Sequence, residues 1–275
     1  MTKPAKEPLQ SFSISDFDHV IISSSAGKDS QAMLWEVYVE AMVAEYPLEQ
    51  ITVFHAHLPR VEWPGVRELA AEQAAALGLR YVEMKRTQND LLDHVKARGM
   101  WPSPRQRYCT SDHKRAVSHR LYTQVAKEWR ERTGEKRPCR ILSCMGMRAE
   151  ESAFRAKMKP FEKIERASNG RREVYQWLPL HSWTVEQVWE TIRESELPHH
   201  YAYDLGMPRL SCCFCIFAPK SALVLAGKHN RELLEEYVAV EEEINHTFKA
   251  NLSLKEVLDE VDQPQSDDEV PDWEM

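Results

Sequence analysis

The sequence predicts an α/β fold: a mostly parallel sheet of five or six strands with helices on both faces, followed by a cysteine-bearing loop and a helical C-terminal segment. Three observations carry this. From His19 to Met145, short apolar runs alternate with segments of helical periodicity, the order that builds a parallel sheet covered on both sides. The chain has 275 residues, 43% hydrophobic and 29% charged, enough to bury one sizeable core or one core and a small appendage. No stretch approaches the roughly 18 consecutive apolar residues of a membrane span, and residues 1–17 carry charges without an apolar signal core. The expectation is a cytoplasmic protein with no membrane partner.

Residues 1–17 read as a flexible leader. The first strand runs from His19 to Ser24, and Ser25–Ser30 form a tight polar loop. A helix follows in which Ala32, Met33, Leu34, Val37, Tyr38, Ala41 and Met42 recur at helical spacing. Ile51–His57 is the second strand, and Val66–Leu77 an Ala-rich helix closed by Gly78. Arg80–Met84 is a third strand, Asn89–Arg98 and Ala116–Arg132 are helices, and Arg140–Met145 is the fourth strand. After Arg148 the pattern loosens. Lys157–Arg172 reads as a mobile basic loop, Val174–Leu178 as a strand, and Thr184–Ser195 as a helix with Thr184 as cap and Gln187 at the capping-box position. Leu197–Pro219 is a Pro- and Cys-bearing loop that completes a domain over 18–219. Residues 220–255 form a helical segment and 256–275 an acidic, disordered tail.

The net charge of −7 hides an asymmetry. Nine acidic residues and no Lys or Arg lie in 256–275, so the rest carries 34 acids against 36 bases. Basic residues cluster in Lys96–Arg107, His113–Arg120, Lys127–Arg140 and Arg155–Arg172. They form either solvated helix faces or a surface for a polyanion such as nucleic acid.

The segment Ser23-Ser24-Ser25-Ala26-Gly27-Lys28-Asp29-Ser30 lies between a strand and a helix start. Unpaired N–H groups of a first helical turn and the helix dipole favour an anion there. Small residues let a phosphate approach, Gly27 offers backbone freedom, and Lys28 adds charge. The loop is not a Walker A sequence. An ordinary capped turn is the plain alternative.

Gly146-Met147-Arg148-Ala149-Glu150-Glu151-Ser152-Ala153-Phe154-Arg155 follows the fourth strand, at the sheet end where α/β folds build their sites. Arg148 and Arg155 are suited to clamp phosphate or sulfate, with Glu151 orienting one of them. Six cysteines stand at 109, 139, 144, 212, 213 and 215. Cys212 and Cys215 form a C-x-x-C pair of the kind that holds a metal.

Together these segments resemble the PAPS reductase family of PP-loop enzymes, with an adenine nucleotide alpha hydrolase-like fold. Ser25–Ser30 resembles the family's SGGxDS loop, departing at Ala26. Gly146, Arg148, Glu151, Ser152 and Arg155 match its G-x-R-x-x-E-S-x-x-R segment, and Trp177–Trp189 resembles its P-L-x-x-W-T-x-x-x-V-W stretch. The likeness spans roughly residues 19–219. After the second strand, relatives carry an Asp and a Gly where this chain has His57-Leu58-Pro59.

The resemblance implies Ser23, Ser25, Ala26, Gly27, Lys28, Asp29, Ser30, Gly146, Arg148 and Glu151 as nucleotide-binding residues. It implies Lys28, Asp29, Lys114, Arg148 and Arg155 as catalytic ones. The cluster-bearing reductases use a C-C and a C-x-x-C pair, and Tyr108-Cys109 stands where the first pair falls. Cys109, Cys212 and Cys215 are therefore the expected ligands, as in DNA-phosphorothioation and RNA-thiolating relatives, with Cys213 or Cys144 as a candidate fourth. The expected group is a [4Fe–4S] cluster; zinc or plain thiols are the other readings.

The E-C-G-L-H segment of thioredoxin-dependent reductases is absent after Cys215. The expected activity is therefore cleavage of ATP, with Mg²⁺, to AMP and pyrophosphate, driving sulfur transfer. The implied partners are an adenine nucleotide, a nucleic-acid acceptor and a sulfur-donor protein such as a cysteine desulfurase. The alternatives are a sulfonucleotide reductase that borrows a partner's thiol and a non-catalytic nucleotide-binding subunit.

Overall fold

The structure, a computed structural model, describes residues 12–263. Its strands are β1 (His19–Ser23), β2 (Ile51–Ala56), β3 (Arg80–Met84), β4 (Cys139–Cys144), β5 (Phe161–Lys163) and β6 (Arg172–Trp177). They form one sheet in the order β3-β2-β1-β4-β6-β5, parallel except for β5, which runs antiparallel to β6. The helices are α1 (Lys28–Val43), α2 (Val66–Ala76), α3 (Leu91–Arg98), α4 (Tyr108–Thr110), α5 (Ala116–Thr133), α6 (Ala153–Ala156), α7 (Val185–Ser195), α8 (Lys220–His229), α9 (Arg231–Ile244) and α10 (Leu254–Val261).

Alternation along the central strands explains the two covered faces. Val20 and Ile22 of β1 and Leu142 of β4 bury against α1 and α7. Ile21 and Ile141, one residue out of phase, bury against Val117, Leu121 and Val125 of α5. A third core lies outside the sheet, where α3 meets α8, α9 and α10 around Trp101, Tyr237 and Phe248. Thr184 accepts from the Gln187 amide and Gln187 returns to the Thr184 amide, so the capping box of α7 forms as the sequence indicates.

Three segments differ from the sequence reading. Residues 12–17 of the leader are anchored, with Ile14 and Phe17 buried in the α1 core; the remainder of the leader lies outside the described residues. The basic stretch 157–172 contains β5, whose Phe161 packs on Phe12 and Tyr175, so it is an ordered sheet edge. The acidic segment from 256 onward begins inside α10, where Leu254 and Val257 are fully buried and Ser253 caps the helix; residues 264–275 lie outside the described residues. No helix among the described residues is long and apolar enough to cross a membrane.

Candidate functional site

β1 lies between β2 and β4, so the connections leave in opposite directions at its carboxyl end, and a crevice opens there. The loop after β1 and the arginine segment after β4 both reach this end. Gly146 lets them touch: a Cβ at this position would stand 2.6 Å from the Asp29 carbonyl oxygen and 3.1 Å from the Ser30 nitrogen. No side chain fits against that helical turn.

The Ser23–Ser30 loop is built on its own hydroxyls. Ser24 Oγ accepts from the Ala26 amide at 3.2 Å. Ser30 Oγ accepts from the Ser25 amide at 3.2 Å and donates to the Gly27 carbonyl at 2.8 Å. The left-handed residue is Ala26, with φ +53°, and not Gly27. Gly27 has ordinary extended angles; its lack of a side chain serves close approach, since a Cβ would come within 3.3 Å of the Tyr203 hydroxyl. The expectation that Gly27 supplies unusual backbone angles is thus corrected. An alanine tolerates the left-handed well at a cost of about 1–2 kcal/mol.

Lys28, Asp29 and Arg148 form one network beneath this loop. Arg148 Nε donates to Asp29 Oδ1 at 2.6 Å, and Lys28 lies 3.5 Å from the same carboxylate. Burial works against the Arg148 charge, but the Asp29 and Glu150 carboxylates outweigh it and hold its pKa above the ordinary value. Lys28 is itself buried, donating to the Pro208 carbonyl at 3.1 Å, and burial lowers its pKa. The Lys28 amide donates to the Tyr203 hydroxyl at 2.7 Å. The segment 197–211 therefore lies across the loop. Burial pushes the Tyr203 phenol up to about 12, so it stays neutral.

The other predicted groups meet in a cavity of about 450 Å³. Cys109, Cys212 and Cys215 line it together with Arg107, Lys114, Arg155 and Arg209. Glu151 is the acid among the lining residues; it pairs with Arg155 and lies 3.7 Å from Arg209. Burial and the Arg209 charge lower the Arg155 pKa to about 10. An anion entering here would relieve that crowding. The lining also includes the apolar Trp101, Phe214, Tyr237 and Phe248, and the indole N–H of Trp101 is buried with no acceptor among the described residues.

The fold brings the thiols together from two directions. Cys109 sits on α4, whose Tyr108 hydroxyl donates to the Met100 carbonyl at 2.6 Å. Cys212 forms an isolated antiparallel bridge with Glu62, and the Cys213 amide donates to the Val61 carbonyl at 2.9 Å. All six cysteines are free. Burial raises Cys109 and takes Cys212 up to about 12, while Lys114 pulls both down. The suggested fourth ligands are not with them. Cys144 is buried within β4 and Cys213 faces the helical core, and neither lines the cavity.

One cluster escaped the sequence reading. His55, His57 and Glu62 bring their ligating atoms within 4.8 Å of one another. Two histidines at i, i+2 at the end of a strand were the available signal. Tyr203, Arg107 and Arg209 were also missed, because only the tertiary fold carries them to the crevice.

The profile of the phosphoadenosine phosphosulfate reductase domain matches residues 19–218. An uncharacterized 37.8 kDa protein of Escherichia phage 186 is 27% identical over 157 residues, 56% of this chain and 43% of that one. The adenosine 5'-phosphosulfate reductase of Oceanobacillus iheyensis is 34% identical over 70 residues, 26% of this chain and 27% of that one. The chain thus spans less than half the length of these relatives. Among solved structures, the Candida auris PAPS reductase in its phosphate complex aligns at TM-score 0.47 and 18% identity, over 72% of this chain and 83% of that one. The U34-tRNA thiolase NcsA of Methanococcus maripaludis, with its [4Fe-4S] cluster, aligns at TM-score 0.41 and 13% identity, over 88% and 70%. On the match over residues 19–218, the chain belongs to the phosphoadenosine phosphosulfate reductase domain family.

Proposed function

We propose that this protein binds ATP with Mg²⁺ through the Ser23–Ser30 loop and cleaves it to AMP and pyrophosphate, activating a substrate for sulfur transfer. The observation that carries the reading is a cavity lined by three free thiols and four cationic side chains, whose Glu151 accepts from the Arg148 amide while Arg148 Nε donates to Asp29 of the phosphate loop.

The Asp29 and Ser30 amides in the first turn of α1 and the exposed Ser25 hydroxyl receive the leaving pyrophosphate, the Lys28 amide being taken by Tyr203. Lys114 and Arg155 neutralise charge developing on the bridging oxygen. Arg148 and Lys28 act as positioning residues, holding Asp29 and the 207–211 segment against the loop. Cys109, Cys212 and Cys215 line the same cavity and would hold a [4Fe–4S] cluster, zinc being the other group such thiols take. Such a cluster, if bound there, would supply iron able to accept sulfur. The crowded cations suit a nucleic-acid acceptor, and a cysteine desulfurase is the class of partner that supplies sulfur.

A second reading, reduction of a sulfonucleotide with a partner's thiol, draws on the 70-residue likeness to adenosine 5'-phosphosulfate reductase. The full chain, reconstituted anaerobically, separates the two. Pyrophosphate release from ATP is followed beside sulfite release from PAPS and APS with thioredoxin. The expected result is pyrophosphate and AMP, reduced about 100-fold or more in Arg155→Ala. Sulfite without pyrophosphate would replace this reading with the second. ATP binding without turnover, with sulfur donor and nucleic acid present, would make the chain a binding subunit.

A further inference from the structure

His55 and His57 project from the carboxyl end of β2 on the same side, and the chain turns back through Leu58–Val61 to bring Glu62 between them. Glu62 Oε2 stands 3.2 Å from His55 Nε2 and 2.7 Å from His57 Nδ1. Atoms bound about 2.1 Å from one ion stand roughly 3.0–3.4 Å apart, so this spacing is close to that of a ligand set. The side chains are 2%, 15% and 14% exposed, which leaves a shielded site with an edge open to solvent.

The surroundings orient the first ligand. His55 Nδ1 lies 3.0 Å from the Ser24 carbonyl, so this nitrogen carries a proton, and Nε2, which can donate to the Glu62 carboxylate in the absence of an ion, is the nitrogen that would ligate one. Donation of the far ring nitrogen to a backbone carbonyl is the usual support of a metal-bound histidine. Two imidazoles and one carboxylate are a donor set for d-block ions rather than Mg²⁺ or Ca²⁺, and three protein ligands leave positions open to water or substrate.

We propose that His55, His57 and Glu62 form a binding site for one divalent transition-metal ion of the zinc or iron(II) class, separate from the three-cysteine cavity. The site belongs to a different ligand set from that of the nucleotide reading and stands without it. Its position couples it to both neighbours. His55 holds the Ser24 carbonyl of the phosphate loop, and Glu62 bridges to Cys212 through the backbone. The plain alternative is a hydrogen-bonded polar cluster in which Glu62 serves as a shared acceptor.

Cobalt(II) tests the site directly, because thiolate ligation gives intense near-ultraviolet charge-transfer bands and N/O ligation gives only weak visible ones. The full chain, stripped of metal under anaerobic conditions, is titrated with cobalt(II) alone. The proposal expects one N/O-type ion per chain, in addition to any thiolate-type ion held by Cys109, Cys212 and Cys215, and retained in Cys109→Ser. Affinity should fall more than about 100-fold in His57→Ala and in Glu62→Gln, beyond the 10–100-fold cost of losing an outer partner. Circular dichroism confirms that each variant stays folded. His57→Gln provides a second variant of similar size should the alanine disturb the turn. Absence of N/O-type binding, or unchanged affinity in folded His57 and Glu62 variants, would overturn the proposal.

Discussion

Gly146→Ala is the most informative single change, because it adds one methyl where β4 meets the phosphate loop. The added Cβ would lie 2.6 Å from the Asp29 oxygen, 2.8 Å from the Asp29 carbonyl carbon and 3.1 Å from the Ser30 nitrogen. These are backbone atoms in the first turn of α1 and cannot swing aside as a flexible side chain would. Ordinary contact requires about 3.5 Å, so β4's exit and α1's start must separate by nearly 1 Å. Overpacking of this kind costs about 1–3 kcal/mol. For a domain of this size that lowers the melting temperature by about 2–12 °C. The same displacement moves Ser25 and Ser30 relative to Arg148, and a misplacement of about 1 Å costs up to about 100-fold in a positioned site. Gly170→Ala is the control, since a Cβ there meets nothing within 4 Å. The assay is a thermal melt beside calorimetric titration with ATP. A Gly146→Ala protein with the control's melting temperature and ATP affinity would refute the argument that Gly146 sets the loop's position.

Two further predictions follow from buried groups. Tyr203→Phe removes the hydroxyl that accepts from the Lys28 and Leu210 amides, and leaving these donors unpaired should cost about 1–3 kcal/mol in urea unfolding. His19 is held at about 4, first by burial and then by the Arg80 charge. The unfolded chain takes this proton first, so stability is full above about 6.5 and falls as pH drops toward 4, by up to about 3 kcal/mol. Urea midpoints measured across that window should flatten in His19→Gln, which keeps a polar group near Thr52.

The α/β order was legible because buried parallel strands are continuous apolar runs, and the helices between them carry a clear period. The loop and the arginine segment were legible as short contiguous motifs. What escaped depends on contacts across the chain. β5 is three residues long, hidden among charges, and exists because β6 offers an edge. α10 did carry a local signal, Ser253 as cap with Leu254 and Val257 three apart, but the acidic composition around it masked that signal. The positive φ falls on Ala26 because the Ser24 and Ser30 hydroxyls fold the loop about that residue, a choice that glycine preference alone does not reveal. Cys109 and the Cys212–Cys215 pair were identified one by one, whereas the cations beside them converge from three separate segments, 107–114, 155 and 209.

The central claim is that Cys109, Cys212 and Cys215, which line one cavity, act together. Anaerobic purification followed by iron, acid-labile sulfide and zinc analysis, with a UV–visible spectrum, tests it most directly. The account predicts about four irons and four sulfides per chain, lost together in a folded Cys109→Ala variant. A colourless, iron-free protein that cannot be reconstituted, or iron unaffected by Cys109→Ala, would contradict it.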